Sequence, residues 1–302
     1  MTSPWISSLR SVSLNVPDLA QAEVFYTATW HLNVVHSSAE SLLLAGSGAD
    51  HHLLALRKTD GPASINHVTF RARSEQALGA IADAAVQAGG SVVSPQADAT
   101  DGAGGVNLRV ADADGRIFEV VYGDTLDAAR EPAPDAPQRL AHVIFNSHDV
   151  PATQRFIEQA LGFRLADRTA NMAFMNCGSD HHSVGVHVAD NDALNHLAFL
   201  MPSLDAVMRG GGRMKDAGFG VEWGPGRHGP GNNAFNYFID PFGVVIEYTA
   251  EVEQIDDSYR PGTPEEWKWP AGRVDQWGMS QPPTPRLRQA QRQVRFAVGR
   301  TA

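Results

Sequence analysis

The chain repeats itself, and that constrains its fold more than any other feature. Residues 9–30 (LRSVSLNVPDLAQAEVFYTATW) and 140–161 (LAHVIFNSHDVPATQRFIEQAL) share one pattern. Each opens with alternating apolar residues that read as a strand, then places Asp18 or Asp149 as a helix N-cap. An apolar stripe at helical spacing follows: Leu19, Ala22 and Phe25 in one copy, Val150, Thr153 and Phe156 in the other. The match returns at Ile65-Asn66-His67-Val68-Thr69-Phe70 and Leu194-Asn195-His196-Leu197-Ala198-Phe199. It returns again at Asp114–Glu119 and Phe242–Glu247. The offsets drift from 131 through 129 to 128 residues, as loop-length changes would make them, so a whole domain is duplicated.

Within each copy a strand, a helix and short strands occur twice. In the second copy strands are expected near 139–146, 163–168, 171–177, 182–188, 193–200, 234–240 and 244–250, with helices near 149–161 and 203–217. A βαβββ unit used twice per domain predicts an α+β fold of curved, barrel-like sheets with helices outside. The expected boundaries are 1–125 for the first domain and 126–138 for an acidic, Ala/Pro-rich linker. The second domain then covers 139–253, and a C-terminal arm and tail 254–302. The arm is proline-rich yet carries Tyr259, Trp267, Trp269 and Trp277, so it is expected to pack on the second domain. From Arg286 onward five arginines and no acids predict a solvated terminal helix.

Composition removes several functional classes. Apolar residues at 43% and charged residues at 19% exclude wholesale disorder. No apolar run approaches the roughly 18 residues of a membrane helix, and the N-terminus lacks a signal-peptide pattern. A single cysteine, Cys177, excludes a disulfide framework and a thiolate metal site. With 24 basic against 34 acidic residues the net charge is −10, which repels nucleic acid. A soluble, cytoplasmic protein is expected, with neither membrane nor nucleic acid as partner.

Seven of the twelve histidines lie between 142 and 228, all in the second copy. His142 falls on its first strand, His196 on its fifth and Glu247 on its last. Two imidazoles and one carboxylate on rigid strands would make the facial triad of non-haem Fe(II) sites, which leaves an octahedral face open. The stretch 224–247 (GPGRHGPGNNAFNYFIDPFGVVIE) adds Arg227-His228-Gly229, a tyrosine nine residues after the histidine and a glutamate ten beyond that. With these residues the chain resembles the type I extradiol, catechol-cleaving dioxygenases of the vicinal oxygen chelate superfamily. The resemblance covers essentially the whole chain and is strongest over 138–280.

The resemblance implies two tandem vicinal-oxygen-chelate domains, the first vestigial and the second catalytic. It implies Fe(II), or Mn(II), on His142, His196 and Glu247, with O2 as co-substrate and a small aromatic diol as substrate. His182 would be the acid–base residue, with His181 the adjacent claimant, while His228 and Tyr237 would orient the ring. Asn232, Arg273 and Trp277 are the expected substrate contacts, the last two on a C-terminal lid. Asn176 and Asn233 could touch substrate or simply make turns, and His148 and His187 are expected at the surface or in structural roles. In the first copy Ser11 replaces the first ligand while His67 and Glu119 persist, which implies a retired site kept for scaffold and dimer contacts in a homo-oligomer. Arg273 is followed by Val274, so the adjacent arginines that suit a carboxylated catechol are broken, and a ring without a carboxylate is expected. Competing classes of the same fold are a glyoxalase-type metal-dependent lyase or isomerase and a drug-sequestering binding protein.

Overall fold

The computed structural model describes residues 3–127, 130 and 133–297. One sheet contains β1 (Ile6–Val16), β2 (Asn33–Ser37), β3 (Ser41–Ala45), β4 (Leu54–Lys58), β5 (Ser64–Ala72), β6 (Ser91–Asp98), β7 (Val106–Ala111) and β8 (Ile117–Tyr122). The other contains β9 (Arg139–Ser147), β10 (Arg164–Arg168), β11 (Met172–Asn176), β12 (Val184–Val188), β13 (Leu194–Leu200), β14 (Trp223–Arg227), β15 (Ala234–Ile239) and β16 (Val245–Ala250). The strand orders are β2-β3-β4-β1-β5-β8-β7-β6 and β10-β11-β12-β9-β13-β16-β15-β14, the same order offset by eight strands. Each is two βαβββ modules joined along an antiparallel central pair, β1 with β5 and β9 with β13. Both orders have free ends, so the sheets curve but do not close into barrels.

The helices are α1 (Leu19–Val24), which runs into a π-helical turn at Phe25–Thr29, then α2 (Glu75–Gln87), α3 (Val150–Leu161), α4 (Leu204–Asp216) and α5 (Pro285–Ala290). Asp18 and Asp149 cap α1 and α3 as expected, accepting from the Gln21 and Ala152 N–H groups. Gly162, at φ 70°, ends α3 in the left-handed conformation that glycine adopts without strain. No helix is long and apolar enough to cross a membrane among the described residues.

One strand has no signature in the sequence. β14 reads WGPGR, and only its pairing with β15 makes it a strand. The two copies are also less separate than a linker suggests, because one apolar core runs through both. Trp30 of the first copy stacks on Tyr248 of the second, centroids 3.6 Å apart and 8° from parallel. Phe118 packs edge-on against Phe145, and Phe70 against Phe163.

The tail departs from the expectation of a solvated helix. Leu287 and Ala290 of α5, and Val294 beyond it, are buried. Phe296 pairs with Ile65 of β5 and packs on Phe145, which ties the chain's end to both copies. The arginines are charged handles on an apolar stripe, and the stripe decides the outcome. Residues 298–302, with Arg300, lie outside the described residues.

Candidate metal centre

Neighbouring strands bring the three candidate ligands together. Ala198 of β13 pairs with His142 of β9 on one side and with Glu247 of β16 on the other. His196, two residues earlier, points to the same face by the strand's period of two. His142 Nε2 and His196 Nε2 each lie 3.2 Å from Glu247 Oε2 and 3.4 Å from one another. Metal–ligand bonds of about 2.1 Å at right angles would put ligand atoms about 3.0 Å apart, so the triangle is near the face of an octahedron. All three residues are buried.

The protons support the same reading. His196 Nδ1 is 2.8 Å from Asn195 Oδ1, an acceptor, so Nδ1 carries the hydrogen and Nε2 is left with its lone pair. That lone pair faces the Glu247 carboxylate, an arrangement that needs a cation between them. Burial holds the His196 pKa below the usual imidazole value, which disfavours a proton as that cation. Burial alone would raise the Glu247 pKa, but His142 and His196 outweigh it and keep the group a carboxylate. The donor set therefore suits a divalent metal.

The surrounding groups converge on one cavity of about 510 Å³, lined by His142, His182, His196, His228 and Tyr237. Tyr237 Oη is 3.1 Å from His228 Nε2 and 3.4 Å from His196 Nε2. Tyr237 pairs directly across from Glu247, which is why a spacing of ten residues returns it to the metal. Burial raises its pKa and the Glu247 charge adds to the effect, so its hydroxyl keeps its proton. Burial brings His228 down to about 4, and it pushes His182 well below the ordinary imidazole range. The His182 ring lies 4.3 Å from that of His142.

Three expected substrate contacts lie elsewhere. Asn232 sits at a turn, its side chain accepting from Gln276, and its neighbour Asn233 is the buried residue that donates to Glu247 and Thr249. Arg273 is exposed, and Trp277 lies against Arg227, 5.0 Å from its guanidinium. None of the three lines the cavity; from the arm, Trp267, Trp269 and Val274 do. The arm is a loop, where no periodicity tells which tryptophan turns inward. His187, expected at the surface or in a structural role, instead reaches the cavity, as do Arg288 and Gln291, which no motif marks. Asn176 makes a turn, donating to the Gly178 carbonyl, and exposed His148 pairs with Asp192.

The first copy keeps a cavity of about 480 Å³ at the equivalent place, lined by Ser11, His67 and Glu119. Arg109, opposite Glu119 as Tyr237 is opposite Glu247, puts its Nε 2.8 Å from that carboxylate. Thr69 and Asn107 donate to the same group at 3.1 Å. A guanidinium thus supplies the positive charge that the second copy lacks.

This duplicated architecture, with candidate metal ligands gathered on neighbouring strands of one sheet, defines a class. The glyoxalase/bleomycin resistance protein/dioxygenase superfamily model matches residues 8–120 and 139–248, and the chain belongs to that superfamily. Among particular relatives, metapyrocatechase 2 of Cupriavidus necator is 34% identical over 155 residues, 48% of this chain and 46% of that protein. The chain thus matches about half the length of this curated relative. The Mn(II)-bound glyoxalase from Novosphingobium aromaticivorans has 32% identity and a TM-score of 0.85, over 95% of this chain and 94% of that one. Homoprotocatechuate 2,3-dioxygenase from Arthrobacter globiformis, 22% identical, shares the fold at a TM-score of 0.85, over 99% of this chain and 95% of that one.

Proposed function

We propose that the chain is an extradiol ring-cleaving dioxygenase acting on an aromatic diol, with Fe(II) or Mn(II) held by His142, His196 and Glu247. The observation that carries this reading is that His182, His228 and Tyr237 line one cavity with His142 and His196 of the ligand triangle. The kinship with metapyrocatechase 2 supports it. When bound, the metal would lower the pKa of a catechol hydroxyl and pass electron density from the ring to O2.

The protein's own groups divide the remaining work. His182, kept neutral by burial, would take a proton from the diol and return it as the ring opens. His228 and Tyr237 would hydrogen-bond the diol oxygens and fix the ring plane. Trp267, Trp269, Phe174 and Met172 wall the cavity and would exclude water. The volume exceeds by about threefold the roughly 150 Å³ that holds a benzene ring, so substituents have room. These four walls favour an apolar substituent, and exposed Arg288 is the one guanidinium in the lining.

A glyoxalase-type lyase is the second reading, favoured by likeness to the Mn(II)-bound glyoxalase. One experiment separates the two. After anaerobic loading with Fe(II) or Mn(II), O2 uptake is followed across 4-methylcatechol, 2,4,5-trihydroxytoluene and homoprotocatechuate, beside a hemithioacetal assay. The expected result is uptake with a yellow ring-opened product, least efficient with homoprotocatechuate. Hemithioacetal turnover without O2 uptake would reverse the order of the readings.

A further inference from the structure

We propose that Asp167 and His181 are positioning residues that fix the ring tautomer of His182, so that its Nε2 meets the cavity as an acceptor. Only the catalytic consequence rests on the dioxygenase reading; the tautomer follows from geometry.

Asp167 on β10 is wholly buried. Its Oδ1 accepts from the Gly262 N–H at 2.5 Å, and its Oδ2 accepts from the Tyr259 hydroxyl at 3.1 Å. The same Oδ2 lies 2.9 Å from His181 Nε2. Its other two contacts are donors, so the carboxylate accepts here too and His181 carries its hydrogen on Nε2. A neutral His181 then has a lone pair on Nδ1. His182 Nδ1 stands 3.0 Å from that atom, the two rings 85° apart, and must donate. The remaining nitrogen of His182, Nε2, is left unprotonated. The ring cannot easily turn: Gly231 packs so closely that a Cβ there would lie 2.9 Å from His182 Cε1.

The duplication supplies an internal control. His51 and His52 repeat the pair in the first copy, Nδ1 to Nδ1 again 3.0 Å apart. There the position of Asp167 is held by exposed His36, opposite Leu43 as Asp167 is opposite Phe174. The paired histidines belong to both copies; the buried carboxylate behind them belongs to the copy with the complete ligand triangle.

Asp167→Asn tests the chain of hydrogen bonds. The Gly262 N–H keeps an oxygen at the Oδ1 place, so the new amide nitrogen faces His181 Nε2. His181 must then accept there and carry its hydrogen on Nδ1, which transfers the His182 hydrogen to Nε2. Nitrogen-15 NMR of histidine-labelled, metal-free full-length protein reads the tautomer directly. Wild type should show His182 unprotonated at Nε2, and Asp167→Asn should show it protonated. With metal loaded, kcat of Asp167→Asn should fall at least about 10²-fold at equal metal content, with KM within about threefold. Tyr259→Phe removes a different bond from the same carboxylate and should leave tautomer and kcat unchanged. The proposal is overturned by wild type protonated at Nε2, by an unchanged tautomer in Asp167→Asn, or by Tyr259→Phe losing as much kcat as Asp167→Asn. A wild type that cleaves no catechol would sink the dioxygenase reading alone, since the tautomer is measured without turnover.

Discussion

At the scale of single residues, the contrast between His196 and His67 is the sharpest. Both occupy one position of the repeat, but His196 faces an open triangle while His67 shares Glu119 with Arg109, its Nε2 3.6 Å from that carboxylate. His196→Ala should therefore abolish binding of Fe(II) or Mn(II), and His67→Ala should leave about one ion per chain, as read by elemental analysis after gel filtration. Equal loss from both would contradict the account of the first copy. His182 lies beside the triangle, not in it. His182→Asn should keep the metal and slow turnover about 10²–10⁴-fold, the usual worth of a positioned acid–base group. Metal loss in that variant would make His182 a ligand.

At the scale of elements, α4 shows how close packing writes itself into a helix. Its sequence MRGGGRMK places three glycines where helix propensity argues against them. A Cβ on Gly210 would lie 2.6 Å from Tyr248 Cε2, and one on Gly211 2.4 Å from Asn236 Nδ2, whereas Gly212 meets nothing within 4 Å. The first two let the helix lie against β15 and β16, which carry Tyr237 and Glu247. Gly210→Ala should cost about 1–3 kcal/mol through displaced Tyr248. Gly212→Ala should gain up to about 1 kcal/mol from helix propensity. Denaturant midpoints of the two variants should move in opposite directions.

For the whole molecule, buried imidazoles set the response to acid. Burial lowers His67 and His228 to about 4, and lowers His52, His182 and His196 as well. An unfolded chain takes up these protons near pH 6.5, whereas the folded chain resists until near 4. Stability is then full above about 6.5 and is lost as pH falls through that window. Each of His67 and His228 costs about 2 kcal/mol at pH 5 relative to neutral pH. Asp240, raised by burial to about 6, works in the opposite sense, as do Asp112 and exposed His148, but the lowered imidazoles outnumber them. The Tm of the metal-free protein should drop between pH 7 and 5; a flat or rising Tm would refute this balance.

Much of this was legible without coordinates, because a duplication reports its own architecture. The matching copies specified two αβ domains of equal plan. The strand positions of His142, His196 and Glu247 put all three on a common sheet, and the spacing of Tyr237 and Glu247 reflects a hairpin, β15 against β16, whose register is local. Other features were settled only by distant contacts. β14 is a strand because β15 pairs with it, and the charged tail docks because Leu287 and Ala290 pack on the second copy while Val294 and Phe296 reach a core that both copies build. Trp267 and Trp269 line the cavity while Trp277 and Arg273 do not, since a loop's side chains take their direction from what it packs on. Asp167 and His181 stand fourteen residues apart and become partners only when β10 lies beside the turn before β12. Local periodicity fixes which residues share a strand; which strands and loops meet is decided by burial of surface that no single segment can bury alone.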